Sequence, residues 1–260
     1  MKKPLVISIL AKSCAHMLPL YLKSLMHQSE VDRRTIFYIR TNDNRDSTAE
    51  ILRDWYLKWN WKWKMVFDDS SINLNLLTKH NHEWDYERFE IISKIRQDSV
   101  EFAKSEGADY WVQDCDNIVL PDTIESLRSL NLPVVTPYMQ LASMNSKYSN
   151  YHTAIDENGY FEWNPVYDQI WNREIKGVFE VPVVHCSYFI QNQYLDSVNY
   201  NDGSGRYEYV IFSDVLRKAN IPQYIDNRKV YGSLFFAANR EEMKEELKTE
   251  YTKQLLSIYN

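Results

Sequence analysis

The stretch ADYWVQDCDNIVLP, residues 108–121, is an apolar segment that runs directly into Asp114 and Asp116. Side chains at positions i and i+2 of an extended backbone point to the same side, so both carboxylates can face one divalent cation while Cys115 points into the core. Hard oxygen ligands of this kind suit Mg2+ or Mn2+. A D-x-D pattern is expected about once by chance in such a chain, so the motif alone does not establish a metal site. The alternative is that the aspartates cap the turn after the strand.

The segments before this stretch alternate between strand and helix patterns. We predict strands at residues 5–10, 35–40 and 61–67, and helices at residues 15–27, from a capping box at 47–50, and at 86–106. Alternation of Trp61, Trp63, Met65 and Phe67 with lysines predicts a strand near a sheet edge. The β-α-β-α-β-α-β order predicts an α/β fold, with a Rossmann-like, mostly parallel central sheet flanked by helices and ligands at the carboxyl ends of its strands.

The second half of the chain carries a different pattern. A short helix and a strand at 133–136 precede a polar, aromatic-rich stretch at 138–171, which we expect to shape a cleft or a flap. An apolar strand pattern spans residues 178–190, and a helix is predicted at 207–219. Met243, Leu247, Tyr251 and Leu255 have the spacing of one final amphipathic helix.

Composition excludes some classes of protein. A net charge of -6 argues against nucleic acid or an anionic membrane as the main partner. The three cysteines have neither disulfide-framework nor zinc-site spacing. The apolar run at residues 5–11 is too short for a signal peptide and ends at Lys12, and no segment approaches the roughly twenty apolar residues of a transmembrane helix. We therefore expect a cytoplasmic protein, in the host cytoplasm if it is virally encoded.

Several blocks in the same order resemble the amino-terminal glycosyltransferase domain of procollagen galactosyltransferases, of the GT-A superfamily, and its short viral or bacterial relatives. The blocks are ISILAKSCAHMLP, TNDNRDST, YERFEIISKIRQ, ADYWVQDCDNIVLPDT, YSNYHTAIDENGYF, VFEVPVVHCSYFI and NRKVYG. The resemblance implies a single GT-A domain over residues 1–260. Residues 1–120 would form the nucleotide-binding half, and residues 121–260 a smaller acceptor-side lobe with the C-terminal helix. It also implies a UDP-sugar donor and Mn2+ (or Mg2+).

The resemblance also implies the donor site. The loop after the first strand would contact the uridine and ribose, the segment after the second strand would close over the base, and the two aspartates would hold ribose and metal. The residues are Ala11, Lys12 and Ser13, then Arg40, Thr41 and Asp43, then Asp114 and Asp116. The alternative for Asp43 is a turn followed by a helix cap.

Three further side chains are candidates for ligand contacts. Arg88 and Lys94 lie on the helix before Asp114, and either can reach a diphosphate or sugar; the alternative is a solvated or ion-paired side chain. His185 matches a family histidine and can complete the metal shell or orient an acceptor hydroxyl through a neutral imidazole. The alternative is a hydrogen-bonded structural histidine.

An inverting transferase needs a carboxylate that deprotonates the attacking hydroxyl. Glu208, at the start of a helix, aligns with an acidic position of the family and is the first choice; Asp214 is the second. The alternative for Glu208 is a helix-start charge favoured by the dipole.

These features predict a metal-dependent, inverting glycosyltransferase that moves galactose, glucose or xylose from a UDP-sugar to a hydroxyl of a glycan or glycoprotein. The sequence shows no secretory signal, second transferase domain or retention tail like those of the collagen enzymes, so we expect an acceptor other than collagen hydroxylysine. The alternatives are a non-catalytic nucleotide-sugar or glycan-binding module and a metal-dependent nucleotidyltransferase.

Overall fold

A computed structural model describes residues 2–72, 86–143 and 148–259 of the chain. The strands are β1 Leu5–Ala11, β2 Thr35–Thr41, β3 Lys64–Asp68, β4 Asp109–Gln113, β5 Asn117–Val119, β6 Val134–Pro137, β7 Met139–Leu141, β8 Tyr151–His152, β9 Val178–Glu180, β10 Val183–Val184, β11 Ser187–Ile190, β12 Gln223–Asp226 and β13 Gly232–Leu234. The helices are α1 Leu18–Met26, α2 Thr48–Trp59, α3 Tyr86–Ser105, α4 Thr123–Ser129, α5 Pro165–Trp171, α6 Glu208–Lys218, α7 Arg240–Glu246 and α8 Glu250–Tyr259, with a 3₁₀ helix at Asn192–Ser197.

Among the described residues the central sheet has eight strands in the order β3-β2-β1-β4-β11-β6-β12-β9. Strands β3, β2, β1 and β4 run parallel, as do β6 and β12, while β11 pairs antiparallel with both β4 and β6. The edge strand β9 is also antiparallel to its neighbour β12. Smaller sheets, β5-β13-β7 and β10-β8, lie in the later part of the chain. The predicted α/β fold with a mostly parallel sheet is confirmed.

Helices cover both faces of this sheet, so β1 is buried on both sides. Leu5, Ile7 and Ile9 pack into a core with residues of α1, α2, α4 and α8. Val6 points the other way, into a core shared with α3, α5 and α6. Each fully buried apolar side chain contributes roughly 1.5–3 kcal/mol to folding, so a continuous apolar strand such as β1 fixes the centre of the sheet.

One predicted boundary and one predicted cap in the first half are wrong. The third strand begins at Lys64, because Trp61 and Trp63 belong to the preceding turn; Trp61 is 76% exposed, whereas Trp63 packs edge-on against Phe37. Its predicted position at the sheet edge is confirmed. Helix α2 begins as predicted, but Ser47 makes no side-chain capping bond. The backbone N–H of Thr48 instead donates to Asp46 Oδ1.

Two predicted elements in the second half are divided. The apolar run at residues 178–190 forms β9, β10 and β11, because Pro182 lacks an amide donor and Cys186 has a left-handed backbone with φ 62. The final amphipathic helix is two helices, with the Thr249 hydroxyl accepting the amide proton of Thr252 at the start of α8. Residues 144–147 of the aromatic-rich stretch lie outside the described residues.

Candidate active site

A cavity of about 500 Å³ lies at the carboxyl ends of β1, β2 and β4. The loop after β1, the residues after β4 and the N-terminal half of α3 line it, together with the start of α6 and the segment after β13. Because parallel strands present their carboxyl ends at one edge of a sheet, the fold gathers these segments at one place. The cavity therefore has the position that the sheet order predicted for a ligand site.

Asp114 and Asp116 both line this cavity, and backbone hydrogen bonds fix the turn that carries them. The amide of Asp114 donates to the carbonyl of Cys186 at 3.0 Å, and the carbonyl of Asp116 accepts from the amide of Phe235 at 3.0 Å. The residue before β11 and the segment after β13, both far away in sequence, thus hold the turn with the two carboxylates at the cavity.

The charge at this turn fits a bound cation. Burial, together with the neighbouring Asp114 carboxylate, raises the pKa of Asp116 to about 8. Two adjacent carboxylates in a partly buried site repel each other, and a divalent ion removes that repulsion. Among residues 2–72, 86–143 and 148–259, no cluster of three or more His, Cys, Asp or Glu side chains is arranged to hold a metal. A metal at Asp114 and Asp116 would therefore need further oxygen ligands from its substrate or from water.

Three basic side chains line the same cavity, and we call the surface that they form the basic wall. They are Lys12, Arg45 and Arg88. Burial lowers the pKa of Lys12, as do the charges of Arg88 and Arg45, whereas Asp43 raises it. The Lys12 ammonium is buried and makes no hydrogen bond within the described part of the chain. Since an unpaired buried ammonium is costly, this arrangement fits an anionic ligand.

Hydrogen bonds between the loops after β1 and β2 shape the basic wall. The amide of Ser13 donates to Asn44 Oδ1 at 2.8 Å, and Ser13 Oγ accepts from the amide of Arg45 at 3.0 Å. Ser13 and Asp43 both have left-handed backbones, with φ 47 and 45. Such conformations cost energy and cluster where a loop is held for function.

The other residues predicted for the donor site divide into two groups. Ala11, Ser13 and Arg40 line the cavity. Arg40 also donates to the carbonyls of Asp68 and Ser70, so it braces the end of β3. Thr41 is fully buried and accepts from Asn44, while the Asp43 carboxylate accepts from Ser71 and from the amide of Ile72. Neither Thr41 nor Asp43 lines the cavity.

Glu208 lines the cavity at the first residue of α6, with a side chain only 9% exposed. Burial raises the pKa of Glu208, and the adjacent Arg96 guanidinium acts in the opposite direction. Arg96 Nε lies 3.3 Å from Glu208 Oε1, and Arg96 Nη2 donates to Asp114 Oδ1 at 2.9 Å. One buried arginine therefore links the predicted base to a predicted metal ligand.

His185 lines the cavity but forms no ligand cluster with the aspartates among the described residues. Its Nδ1 lies 2.9 Å from Cys186 Sγ and 3.4 Å from the hydroxyl of Tyr148. Its ring stacks on Tyr209 at 4.6 Å, and its buried Nε2 has no hydrogen-bond partner within the part of the chain described. Burial, with smaller effects of His152 and Arg96, lowers the pKa of His185 well below its usual value. The imidazole is therefore neutral.

The structure does not bring Lys94 and Asp214 to the cavity. Lys94 points to solvent and pairs with Asp98 at 2.9 Å, one turn along α3. Asp214 accepts from Arg206, Arg217 and Lys218, and the contacts with Arg206 and Lys218 lower its pKa despite partial burial. A carboxylate shared among three cations is a weak proton acceptor, which leaves Glu208 as the base candidate.

Four aromatic side chains also line the cavity, and we call the surface that they form the aromatic wall. They are Tyr148, Tyr207, Tyr209 and Phe236. Tyr148 and Phe236 meet edge to face at 4.8 Å, and Tyr207 stacks on Phe89 at 4.3 Å. Tyr207 and Tyr209 flank Glu208 in the sequence.

Sequence reasoning missed Arg96, Arg45 and the aromatic wall. One signal for Arg96 was present, because it shares the helical spacing of the buried positions Phe89, Ser93, Val100 and Ala103 on α3. An arginine on the inward face of a helix requires an acidic partner. No local pattern marks the aromatic wall, whose members come from separate segments.

Solved structures with a similar fold are GT-A glycosyltransferases. GalNAc-T7 with UDP, GalNAc and Mn2+ aligns over 98% of this chain and 50% of its own, with a TM-score of 0.60 and 10% identity. S. aureus TarS residues 1–349 in complex with UDP-GlcNAc aligns over 100% of this chain and 65% of its own, with a TM-score of 0.58 and 12% identity. The fold is therefore of the GT-A type.

The family follows from sequence. A family profile described as "Glycosyltransferase family 25, N-terminal domain" matches residues 3–255, so the chain belongs to this family. Procollagen galactosyltransferase 1-A of Xenopus laevis is 28% identical over 243 residues, which cover 88% of this chain and 39% of that protein. The mouse protein named inactive glycosyltransferase 25 family member 3 is 28% identical over 267 residues, covering 96% of this chain and 44% of its own.

These comparisons confirm the resemblance seen in the sequence. The chain spans about two fifths of the length of the curated relatives it matches. Across the three described ranges, no helix has both the length and the apolar character needed to cross a bilayer.

Proposed function

We propose that this protein is a metal-dependent, inverting glycosyltransferase that transfers galactose, glucose or xylose from a UDP-sugar to a hydroxyl of a glycan or glycoprotein. The observation that carries the proposal is the placement of opposite charges in one cavity. Asp114 and Asp116 lie together at the end of β4, and the basic wall lies on the loops beside them. A cation paired with a diphosphate satisfies both groups of charges.

Each charged group has a role in this proposal. Asp114 and Asp116 would hold Mn2+ (or Mg2+), which would supply positive charge to neutralise the leaving diphosphate. Lys12, Arg45 and Arg88 contact the phosphate oxygens. Glu208 takes the proton of the acceptor hydroxyl. At the same time the hydroxyl oxygen forms a bond to the anomeric carbon of the donor sugar, and the bond from that carbon to UDP breaks. Arg96 keeps Glu208 ionised by its positive charge.

Support also comes from relatives. Solved structures with this fold are complexes with UDP, with UDP-GlcNAc, and with UDP, GalNAc and Mn2+. The alternative is a nucleotide-sugar binding module without turnover, which the relatives named inactive favour. Turnover separates the two functions.

The first test measures UDP released from UDP-galactose, UDP-glucose and UDP-xylose, with Mn2+ and with EDTA. We expect release from at least one donor with Mn2+ and none with EDTA. Asp116→Asn removes one carboxylate without changing the side-chain shape, and we expect it to abolish the metal-dependent release. Asp122→Asn is the control, since Asp122 is exposed, pairs with Lys229 and does not line the cavity. Full activity in Asp116→Asn would remove the metal role of this residue.

The second test concerns the base. Glu208→Gln keeps the size of the side chain but cannot accept the proton, so we expect kcat to fall by about 10²- to 10⁴-fold. UDP binding, measured by calorimetry with Mn2+, reports whether the donor site persists in this variant. Turnover at the wild-type rate would move the base to another residue. UDP binding without turnover in the wild-type protein, with every donor and acceptor, would support the binding module.

A further inference from the structure

The aromatic wall has two features that its role as part of the cavity does not explain. Tyr148, Tyr207 and Phe236 leave 37%, 37% and 38% of their surfaces exposed, although each packs against another ring. Exposed aromatic surface that continues into a cavity marks a binding site more often than a packing defect. Tyr207 and Tyr209 also flank Glu208 in the sequence, and all three residues line the cavity.

Polar groups are interleaved with these rings. His185 is 4% exposed and stacks on Tyr209, and its Nε2 has no hydrogen-bond partner in the described part of the chain. A buried polar atom without a partner is costly unless a ligand or water provides one. The wall thus offers flat apolar faces together with a neutral hydrogen-bonding group.

Charge excludes a cationic ligand at this wall. The acidic side chains that line the cavity within the described residues are Asp114, Asp116 and Glu208. Arg96 already contacts Asp114 and Glu208, and Asp114 and Asp116 are the residues assigned to the metal in the proposed function. An ammonium group at the wall would meet no unpaired carboxylate and would lie in the same cavity as Lys12, Arg45 and Arg88.

We propose that the aromatic wall is the acceptor subsite and that the acceptor is a neutral pyranose ring, stacked on Tyr207 and Phe236 with one hydroxyl directed at Glu208. A pyranose has an apolar face of C–H groups and a rim of hydroxyls, which matches flat rings beside a neutral imidazole. The inference rests on the proposed function, because Glu208 is the base for that hydroxyl. It narrows the acceptor from any glycan or glycoprotein hydroxyl to a sugar hydroxyl.

The test offers acceptors to the wild-type protein with Mn2+ and the active UDP-sugar. The panel contains methyl galactopyranoside, methyl glucopyranoside, lactose, a hydroxylysine peptide and a serine peptide. We expect transfer to at least one saccharide and none to the peptides. Transfer to a peptide and to no saccharide would overturn the inference and leave the proposed function standing. Absence of UDP binding would overturn the proposed function and the inference with it.

Variants test the wall itself. Removing one stacked ring should raise the acceptor KM by about threefold to tenfold, which corresponds to about 0.6–1.4 kcal/mol. We expect this rise in Tyr207→Ala and Phe236→Ala, larger than any rise in donor KM, and recovery in Tyr207→Phe. Trp61→Ala is the matched control, since Trp61 is an exposed aromatic residue outside the cavity. An unchanged acceptor KM in both alanine variants would overturn the assignment of the wall.

Saturation-transfer NMR gives a readout without turnover. Methyl galactopyranoside and methyl glucopyranoside are added to Glu208→Gln protein with UDP and Mn2+. Signal at the ring C–H protons of either glycoside, weakened by Tyr207→Ala, supports stacking on the wall. Signal of equal strength in the Tyr207→Ala background would place the sugar elsewhere and overturn the inference.

Discussion

The basic wall and the aromatic wall face the same cavity, but they differ in origin and in chemistry. The members of the basic wall come from the loops after β1 and β2 and from the start of α3. The members of the aromatic wall come from the segment before β8, the start of α6 and the segment after β13. The first wall presents charge, which in the proposed function contacts the diphosphate, the part of a donor common to all UDP-sugars. The second presents rings, which suit a particular acceptor.

Arg96 lies between the two walls and joins the turn after β4 to the start of α6, because it contacts Asp114 on one side and Glu208 on the other. Burial alone would lower the pKa of Arg96, but the two carboxylates raise it well above its usual value. Its charge is therefore permanent. In the proposed function this one cation contacts both a metal ligand and the base, so the effect of a change on either wall can be compared with the effect of losing Arg96.

The largest expected effect follows from removing this link. Arg96→Met leaves Asp114 and Glu208 without their buried partner, so we expect the free energy of unfolding to fall by about 3–5 kcal/mol. Urea unfolding measures the change. Lys94→Met is the control on the same helix, and the loss of its exposed pair with Asp98 should cost less than about 1 kcal/mol.

A double variant sharpens this prediction. Arg96→Met with Glu208→Gln removes one of the two uncompensated carboxylates, so the double variant should be less destabilised than the sum of the single variants. A loss of under about 1 kcal/mol in Arg96→Met would show that the pairs of Arg96 with Asp114 and Glu208 contribute no more than exposed ion pairs do.

A smaller change in the free energy of unfolding is expected from His152, which packs against a residue of the aromatic wall. His152 is 6% exposed and packs against His185, Tyr209 and Phe161. Burial, with the charge of Arg217 as a lesser cause, lowers the pKa of His152 to about 4. Between pH 6.5 and pH 4 the unfolded chain binds a proton at this residue that the folded protein does not, so stability falls as the pH falls. From pH 7 to pH 5 the loss is about 2 kcal/mol.

His152→Phe keeps a ring at this position and removes the titration. We expect the free energy of unfolding of the wild-type protein to fall by about 2 kcal/mol more than that of His152→Phe between pH 7 and pH 5. Urea unfolding at both pH values measures the difference. Equal losses in the two proteins would mean that His152 is protonated in the folded state at pH 5.

The two walls also differ in how far the sequence predicts them. Strand and helix periodicity predicted the order from β1 to β4, and parallel strands bring Lys12 and Asp114 to one edge without any further information. The capping pattern at Ser47 was misleading, because Asp46 supplies the acceptor and Thr48 Oγ1 instead accepts the amide proton of Cys14. The loop after β2, which carries Asp46 and Ser47, nevertheless lies at the edge of the sheet that the strand order predicts.

The aromatic wall depends on pairings between distant segments. Strand β11 lies between β4 and β6 in the sheet, although 73 residues separate Asp114 from Ser187 and no local pattern encodes that insertion. Pro182 and Cys186 divide the apolar run so that its last four residues enter the sheet centre. The sequence therefore predicted Glu208 as an acidic helix start, but it did not predict the rings that surround it.

The smallest expected effect tests the basic wall alone. Lys12 carries a buried ammonium without a hydrogen-bond partner in the described residues, and such a group destabilises the protein until an anion binds. Lys12→Met should therefore raise the melting temperature without ligand and weaken UDP binding about tenfold, which corresponds to about 1.4 kcal/mol. Calorimetry with UDP and with uridine separates the phosphates from the base, because the uridine affinity should change much less. Lys94→Met, which alters an exposed lysine outside the cavity, should change neither affinity. Equal weakening of UDP and uridine in Lys12→Met would place this lysine at the nucleoside, and the division of the cavity into a charged wall for phosphates and an aromatic wall for acceptors would then have to be redrawn.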